Sequence, residues 1–520
     1  MVPSTTAVEI YLALVIGVGV SVNFLIGRES ESSAPQPPRR QWDRADAWAL
    51  ALVIIALGLR LWGLGSLPVS GDEASGLEMG FWSNWFLNHE TGSHPPLFRF
   101  LIHLTSTRPE SLWLMRAPAA VFGSLGTGLL YVAARRWSSG WTAIGLAAVL
   151  VFFPTHVIFS MQQKNLTLLI CFLLLAHLSL LRALDGSRRS YGFYAIWAVA
   201  ACMTNYQAPF FLLGHLGFIA FSRRAVLARV GMALIPAFAA LAPFVYIEVF
   251  GPMDQGSRLA SLGLVPNLLN AFHDLSIRLL VLLTAALALA GNRSSTSDGR
   301  KVIPWTLALG AVGLVVIALR TPVQARYVLP MVPFALLYAA ARSRSPRRRS
   351  VYRMVLAAGV LVFFAMSLID HLSPPQRHQG NLAETAMTIH NRSSSGSRQA
   401  ILVSPVSMLE VIGFVELRRR DLWNLACPSP TRAFRDQDRV LFHAATDALP
   451  RVLAGLGGFD LFRFRIRDDP EAPGLDAWVR VNCRPVEPLA RDWTTAVYRC
   501  GGRIKPNVDV CKVLAKAHAG

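Results

Sequence analysis

The chain has 520 residues, of which 53% are hydrophobic and 16% charged, and its formal net charge is +20. A mean hydropathy of +0.41 excludes an ordinary soluble domain and points to membrane-spanning helices, each needing about 20 apolar residues for roughly 30 Å of hydrocarbon. The positive balance does not indicate nucleic acid, because the arginines gather between apolar runs, where they orient a membrane protein.

About twelve spans are predicted, at roughly 7–26, 46–64, 112–134, 141–158, 164–183, 191–204, 206–222, 230–249, 268–290, 303–319, 327–341 and 351–369. The first lacks a basic start and a clean small-residue cleavage site, so it reads as a retained anchor rather than a signal peptide. The runs at 191–204 and 327–341 are short, so tilted, broken or extended helices are expected there. The connections 27–45, 135–140, 184–190, 223–229, 291–302 and 342–350 hold almost all the loop arginines, as in "GSRRS" and "RSRSPRRRSVYR". This alternation puts those loops in the cytoplasm. It puts the loop 65–111, and everything after residue 370, on the outer side of the cytoplasmic (inner) membrane. Three regions follow: an anchor and cytoplasmic linker over 1–45, a transmembrane domain over 46–370, and an extracytoplasmic domain over 371–520.

The loop 65–111 crowds acids and histidines into an otherwise oily chain. A helix is predicted from Asp72, with Ser70 or Asp72 as its cap. Leu77, Phe81, Trp82, Trp85 and Phe86 give it an apolar, aromatic stripe suited to the membrane interface. Asp72 and Glu73 either cap and solvate this helix, or act as general bases on a hydroxyl or amine. The "HPPL" at 94–97 sets a rigid extended step and fixes His94, which either orients an acid or donor or packs beneath the turn. Arg99 and His103 share a face of the next predicted helix.

Arg116 and Arg278 fall within spans, where charge is costly; Arg116 is near enough to the outer end to snorkel. Asp274 and Arg278 are spaced for a local ion pair. "MTNYQAP", 203–209, is a tight outer turn whose Asn205, Tyr206 and Gln207 either line a site or serve the turn. The loop 250–267 has the length of a lid.

The tail has no spanning run. Apolar stretches such as "AILVSPVSMLEVIGFVEL" and "AWVRVNCRP" among charges of both signs predict a soluble α/β domain. Cys427, Cys483, Cys500 and Cys511 are consistent with two disulfides in an oxidising compartment. Their pairing is open, and buried free thiols are the alternative. No CxxC or CxxH spacing occurs there, and no phosphate-loop motif occurs in the chain.

The order "DE" at 72–73, "HPPL" at 94–97, "LWLMRAPAAVFGSLGTGLLYVAARRW" at 112–137 and "VQARYVLPMVPFALLYAA" at 323–340 resembles the C-type glycosyltransferases of family 39. That family includes protein O-mannosyltransferases and aminoarabinose transferases of lipid A. The resemblance spans residues 46–341. It implies a polytopic helical fold and transfer of a sugar from a polyprenyl-phosphate donor to a lipid, glycan or protein acceptor of the cell envelope, with inversion at the anomeric carbon. By carry-over Asp72 is the base, with Glu73 beside it. Adjacent side chains on a helix point about 100° apart, so the two are not expected to serve one atom.

The departing lipid phosphate needs positive charge or donors. Arg326, with Tyr327 beside it, stands at the outer end of a span; the alternative is simple helix anchoring. "FSMQQKNLTLL" places Lys164 where the family often carries Arg, and Leu166 where it often carries Tyr. The charge stays but the bidentate fork does not. Arg99 and Tyr206 complete the expected donor contacts with His94, Lys164, Arg326 and Tyr327. No metal and no cofactor is expected, although Asp72 and Glu73 have the oxygens to bind a divalent cation. Two other readings remain: a polyprenyl-lipid transporter or flippase, and a degenerate envelope-assembly protein.

Overall fold

The computed structural model describes residues 43–64, 95–105, 112–250, 264–290, 298–319, 323–343, 349–372, 399–404, 433–436, 439–442, 447–464, 472–487, 495–501, 512, 513 and 516. The chain divides into two compact units, a helical one closing at Leu372 and a second that holds the residues from 399 onward.

The helical unit runs α1 (Arg44–Leu61), α2 (Pro96–Thr105), α3 (Leu112–Arg135), α4 (Gly140–Phe152), α5 (Pro154–Met161), α6 (Leu166–Leu184), α7 (Arg189–Cys202), α8 (Ala208–Ser222), α9 (Leu227–Phe250), α10 (Leu264–Leu269), α11 (Leu275–Ala290), α12 (Asp298–Ala318), α13 (Ala325–Val328), α14 (Val332–Arg342) and α15 (Arg349–Leu372). Among the described residues five helices are long and apolar enough to cross a membrane, or six with the bent pair α4–α5 as one span. That is fewer than the twelve expected. The candidate at 7–26 lies outside the described residues. The run at 141–158 breaks at Phe153, because Pro154 has no N–H for the Leu150 carbonyl, and the axis turns by 57°. The run at 327–341 divides into α13, a 3-10 turn at Leu329–Met331, and α14. The run at 268–290 starts its regular helix only at Leu275, after a 3-10 turn at Asn270–His273.

α6 is the hub. Nearly all its side chains are buried, and it packs against α3 and α7. By contrast α15 shows Met354, Leu361 and Ile369 on its surface, and α11 shows Leu282 and Leu289. Such apolar outer faces suit hydrocarbon and not water. This is a multi-pass membrane protein.

One end of the bundle is arginine-rich and tied by charge. Asp43 and Asp46 form a capping box on α1, each side chain accepting the other's backbone N–H at 3.0 Å. Arg135 pairs with Asp43, Arg136 with Asp185, and the Tyr131 hydroxyl donates to Asp46 Oδ1 at 2.8 Å. The termini of α1, α3 and α6 are thereby fastened together. At the opposite end Arg116 does not snorkel. It is fully buried and donates from Nη1 to the Leu64 carbonyl at 2.7 Å, holding the chain as it leaves α1. Asp274 does not pair with Arg278 either. It caps α11 through Ser276 N (2.8 Å) and Oγ (2.6 Å), and accepts the Thr155 hydroxyl at 3.2 Å.

The second unit carries a six-stranded sheet in the order β2-β3-β1-β4-β6-β5, from β1 (Gln399–Ser404), β2 (Ala433–Asp436), β3 (Arg439–Phe442), β4 (Gly458–Phe464), β5 (Cys483–Glu487) and β6 (Thr495–Gly501). β1 is parallel to β3 and β4; the other pairs are antiparallel. α16 (Leu449–Leu456) buries Leu449, Val452 and Leu456 and stops at Gly457, whose φ of 82° suits a residue without Cβ. α17 (Ala472–Asn482) stacks Trp478 on Phe459 of β4. Cys483 and Cys500 stand opposite each other on β5 and β6 and form a disulfide. Cys427 and Cys511 lie outside the described residues.

Candidate active site

The end of the helical unit opposite the arginine-rich one is where its turns converge. The turn 162–165 joins α5 to α6, and the turn 203–207 joins α7 to α8. Asn165 joins them. Its Nδ2 donates to the Thr204 carbonyl at 2.9 Å and its Oδ1 accepts from Asn205 Nδ2 at 3.4 Å. Asn205 Oδ1 accepts the Gln207 N–H at 2.9 Å, the local bond an Asx turn makes. Gln207 Nε2 then reaches the Tyr327 carbonyl at 3.2 Å. Its Oε1 is buried without a hydrogen-bond partner, an acceptor that a hydroxyl or N–H would satisfy.

The Pro-Pro segment joins the same cluster. Pro95 and Pro96 are buried, and the Leu97 N–H donates to the Met203 carbonyl at 2.9 Å. Pro96 and Leu97 open α2 rather than continuing the extended step expected from "HPPL", so it is the start of α2 that abuts the 203–207 turn. Lys164 is half-buried in the 162–165 turn, its own N–H closing on the Gln162 carbonyl at 2.8 Å. Tyr206 is half-buried, its hydroxyl donating to the Phe244 carbonyl of α9 at 3.4 Å. Arg326 lies over the Tyr327 ring, 5.1 Å from its centre, and Nη2 donates to the Tyr327 hydroxyl at 3.4 Å. This face-on contact positions the guanidinium at the helix entry. α13, which carries both residues, packs on α5.

Of the residues singled out from sequence, Lys164, Tyr206, Arg326 and Tyr327 share this end. Arg99 stands in α2. Asp72, Glu73 and His94 lie outside the described residues, as does the loop 251–263. Two groups escaped the sequence reading. Asn165 is one; a carboxamide opening an apolar helix was the signal available. The other is the pair Arg60 and His156, fully buried where α1 meets the α4–α5 break. No group of three or more His, Cys, Asp or Glu side chains able to hold a metal occurs among the described residues.

Residues 93–247 match the family described as dolichyl-phosphate-mannose-protein mannosyltransferase. That segment begins one residue before "HPPL" and holds Lys164 and the 203–207 turn. The crystal structure of ArnT from Cupriavidus metallidurans in the apo state superposes with a TM-score of 0.56, at 15% identity, over 88% of this chain and 98% of that one. The chain has the C-type glycosyltransferase fold. The resemblance seen in the sequence to these membrane glycosyltransferases is borne out. ArnT from the same organism bound to undecaprenyl phosphate gives a TM-score of 0.54 at 14% identity, with the same coverage. The arabinofuranosyltransferase AftD from Mycobacteria gives 0.50 at 14% identity, over 89% of this chain and 40% of that one. No curated protein sequence matches the chain.

Proposed function

We propose that the protein is an integral-membrane glycosyltransferase that moves a sugar from a polyprenyl-phosphate donor to an envelope acceptor on the outer face of the cytoplasmic membrane. One observation carries this reading: Lys164, Arg326 and Tyr327, the cations and hydroxyl expected to meet a lipid phosphate, stand at the one end of the helical unit where the 203–207 turn and the Pro-Pro segment also meet. The fold shared with an ArnT bound to undecaprenyl phosphate supports the donor class. The arginine-rich opposite end supports the orientation. Basic helix ends alternate along the whole apolar region, which favours crossing by the short and bent helices too and supports about twelve spans. The disulfide Cys483–Cys500 is in keeping with an extracytoplasmic second unit at 371–520.

In this mechanism Asp72 accepts the acceptor's proton while the acceptor's oxygen or nitrogen attacks the anomeric carbon. The bond from that carbon to the phosphate oxygen breaks with inversion, and polyprenyl phosphate leaves. Lys164 and Arg326 neutralise the charge that grows on it. Glu73 belongs to the catalytic pair beside Asp72, and His94, Arg99 and Tyr206 are assigned to holding the donor. The step needs no metal.

The test is transfer by the purified protein from radiolabelled polyprenyl-phosphate sugars to an envelope extract, with Asp72→Asn in parallel. Label should move with the native protein and stop with the variant, while binding of polyprenyl phosphate persists in both. Binding without donor consumption by the native protein would replace this reading with a transporter or a degenerate core.

A further inference from the structure

Arg60 is fully buried at the end of α1, and no carboxylate among the described residues pairs with it. A guanidinium in hydrocarbon needs its donors satisfied; here both Nη atoms find acceptors, while Nε is buried without one. Nη1 donates to the Ala56 carbonyl at 2.9 Å. Nη2 lies 2.9 Å from His156 Nδ1 and 3.4 Å from the Val151 carbonyl. His156 Nδ1 is in turn 3.1 Å from the Leu150 carbonyl. The Ala56 carbonyl belongs to α1 itself; those of Leu150 and Val151 lie in the last turn of α4, and Leu150 is four residues before Pro154, which has no N–H to offer. Arg60 thus ties α1 to the Val151 carbonyl beside the proline break and to His156 on α5, where Nδ1 has a single role: as an acceptor it takes the Arg60 Nη2 proton, as an N–H it serves the Leu150 carbonyl.

The surroundings are shaped to this pair. Ser160 Oγ donates to the His156 carbonyl at 2.5 Å. On α3, Gly123 leaves room for them: a Cβ there would stand 2.3 Å from Ser160 Oγ and 3.3 Å from Arg60 Nε. On the other flank of the bend, Thr155 Oγ1 meets Ser276 Oγ at 2.6 Å and Asp274 at 3.2 Å. After the bend, α5 runs for about two turns into the turn that carries Lys164 and Asn165.

We propose that Arg60 and His156 are positioning residues: they hold the 57° bend between α4 and α5 and so fix the Lys164 turn against the 203–207 turn. The consequence for donor binding rests on the reading of Lys164 as a phosphate contact; the consequence for the position of the turn does not.

The experiment uses the full chain in lipid nanodiscs with Lys164→Cys as a reporter, labelled by a water-soluble maleimide without any ligand, against the same protein lacking the reporter. Arg60→Met is expected to change the labelling rate at position 164 by about tenfold or more, the scale of one charged hydrogen bond. Adding Pro154→Leu returns an N–H to the Leu150 carbonyl; it should recover thermal stability while the labelling rate stays altered, because the bend is now lost. A rate within about twofold of the parent in Arg60→Met, or a return to the parental rate in the double variant, overturns the proposal. Should Arg60→Met fail to fold, His156→Leu removes the other half of the pair, and an unaltered rate there overturns the proposal equally. Polyprenyl phosphate is then titrated into the native chain. Absence of binding together with the expected labelling pattern removes the donor reading and leaves the positioning role standing.

Discussion

At Gln207 the carboxamide is half used. Nε2 bonds the Tyr327 carbonyl, and Oε1 is buried without a partner. Replacing Gln207 by Leu, of similar size, removes one hydrogen bond and one unsatisfied acceptor together, and these contributions are each about 1 kcal/mol and opposite in sign. The midpoint of thermal unfolding should therefore stay close to the native value. Transfer should fall by about tenfold if the amide meets the donor or holds Tyr327 in place, and a variant with native turnover would remove Gln207 from the site. Lys164→Ala should weaken binding of polyprenyl phosphate by about tenfold to a hundredfold, the worth of a hydrogen bond to a charged group; titration of the lipid phosphate into nanodisc-held protein reads this directly. Lys164, Tyr206, Arg326 and Tyr327 stood out as candidates because charge and hydroxyl at the edge of an apolar run are conspicuous. Gln207 was named with the 203–207 turn, but its tie to the Tyr327 carbonyl was not legible, and Asn165 was missed, since its role depends on the Thr204 carbonyl, far away in sequence.

At the scale of elements, helix starts and stops followed local chemistry. The capping box of Asp43 and Asp46 opens α1, and Pro154 breaks the run at 141–158. Asp274 shows where local reading misleads. Its spacing to Arg278 suits an ion pair, yet capping α11 and accepting the Thr155 hydroxyl occupy the carboxylate. Asp274→Ala should cost about 1 kcal/mol as a lost cap, seen as a lower denaturation midpoint, whereas Arg278→Ala should leave that cap intact. In the second unit "AWVRVNCRP" reads as one apolar stretch, but it holds the end of α17 and the start of β5, divided at Asn482. The change of period from helix to strand within nine residues is too short to see without the partner strand β6.

For the whole molecule, the two units make separable predictions. Cys483→Ser opens the tie between β5 and β6 and should destabilise the second unit by about 2–4 kcal/mol; limited proteolysis should then cut the tail first and leave the helical unit whole. The orientation is tested by a cysteine at Ser187, in the arginine-rich turn after α6, which an impermeant maleimide should fail to reach in intact cells. Labelling there from outside would invert the topology and move the candidate site to the cytoplasm.

What the sequence by itself determined is what local chemistry encodes: membrane helices from apolar runs, alternation of basic ends, and a tail of different composition. The C-type architecture was legible because its residues recur in a fixed order along those helices. What only the tertiary structure decided are the contacts between turns, namely Asn165 with Thr204, Leu97 with Met203 and Gln207 with Tyr327, and the meeting of Arg60 and His156 at the bend. The reason is physical. In a chain whose helices are nearly all apolar, hydropathy says that each segment is buried in membrane or protein but not against which neighbour. The partners of the few polar groups are fixed only when packing brings orphaned carbonyls within reach of their donors.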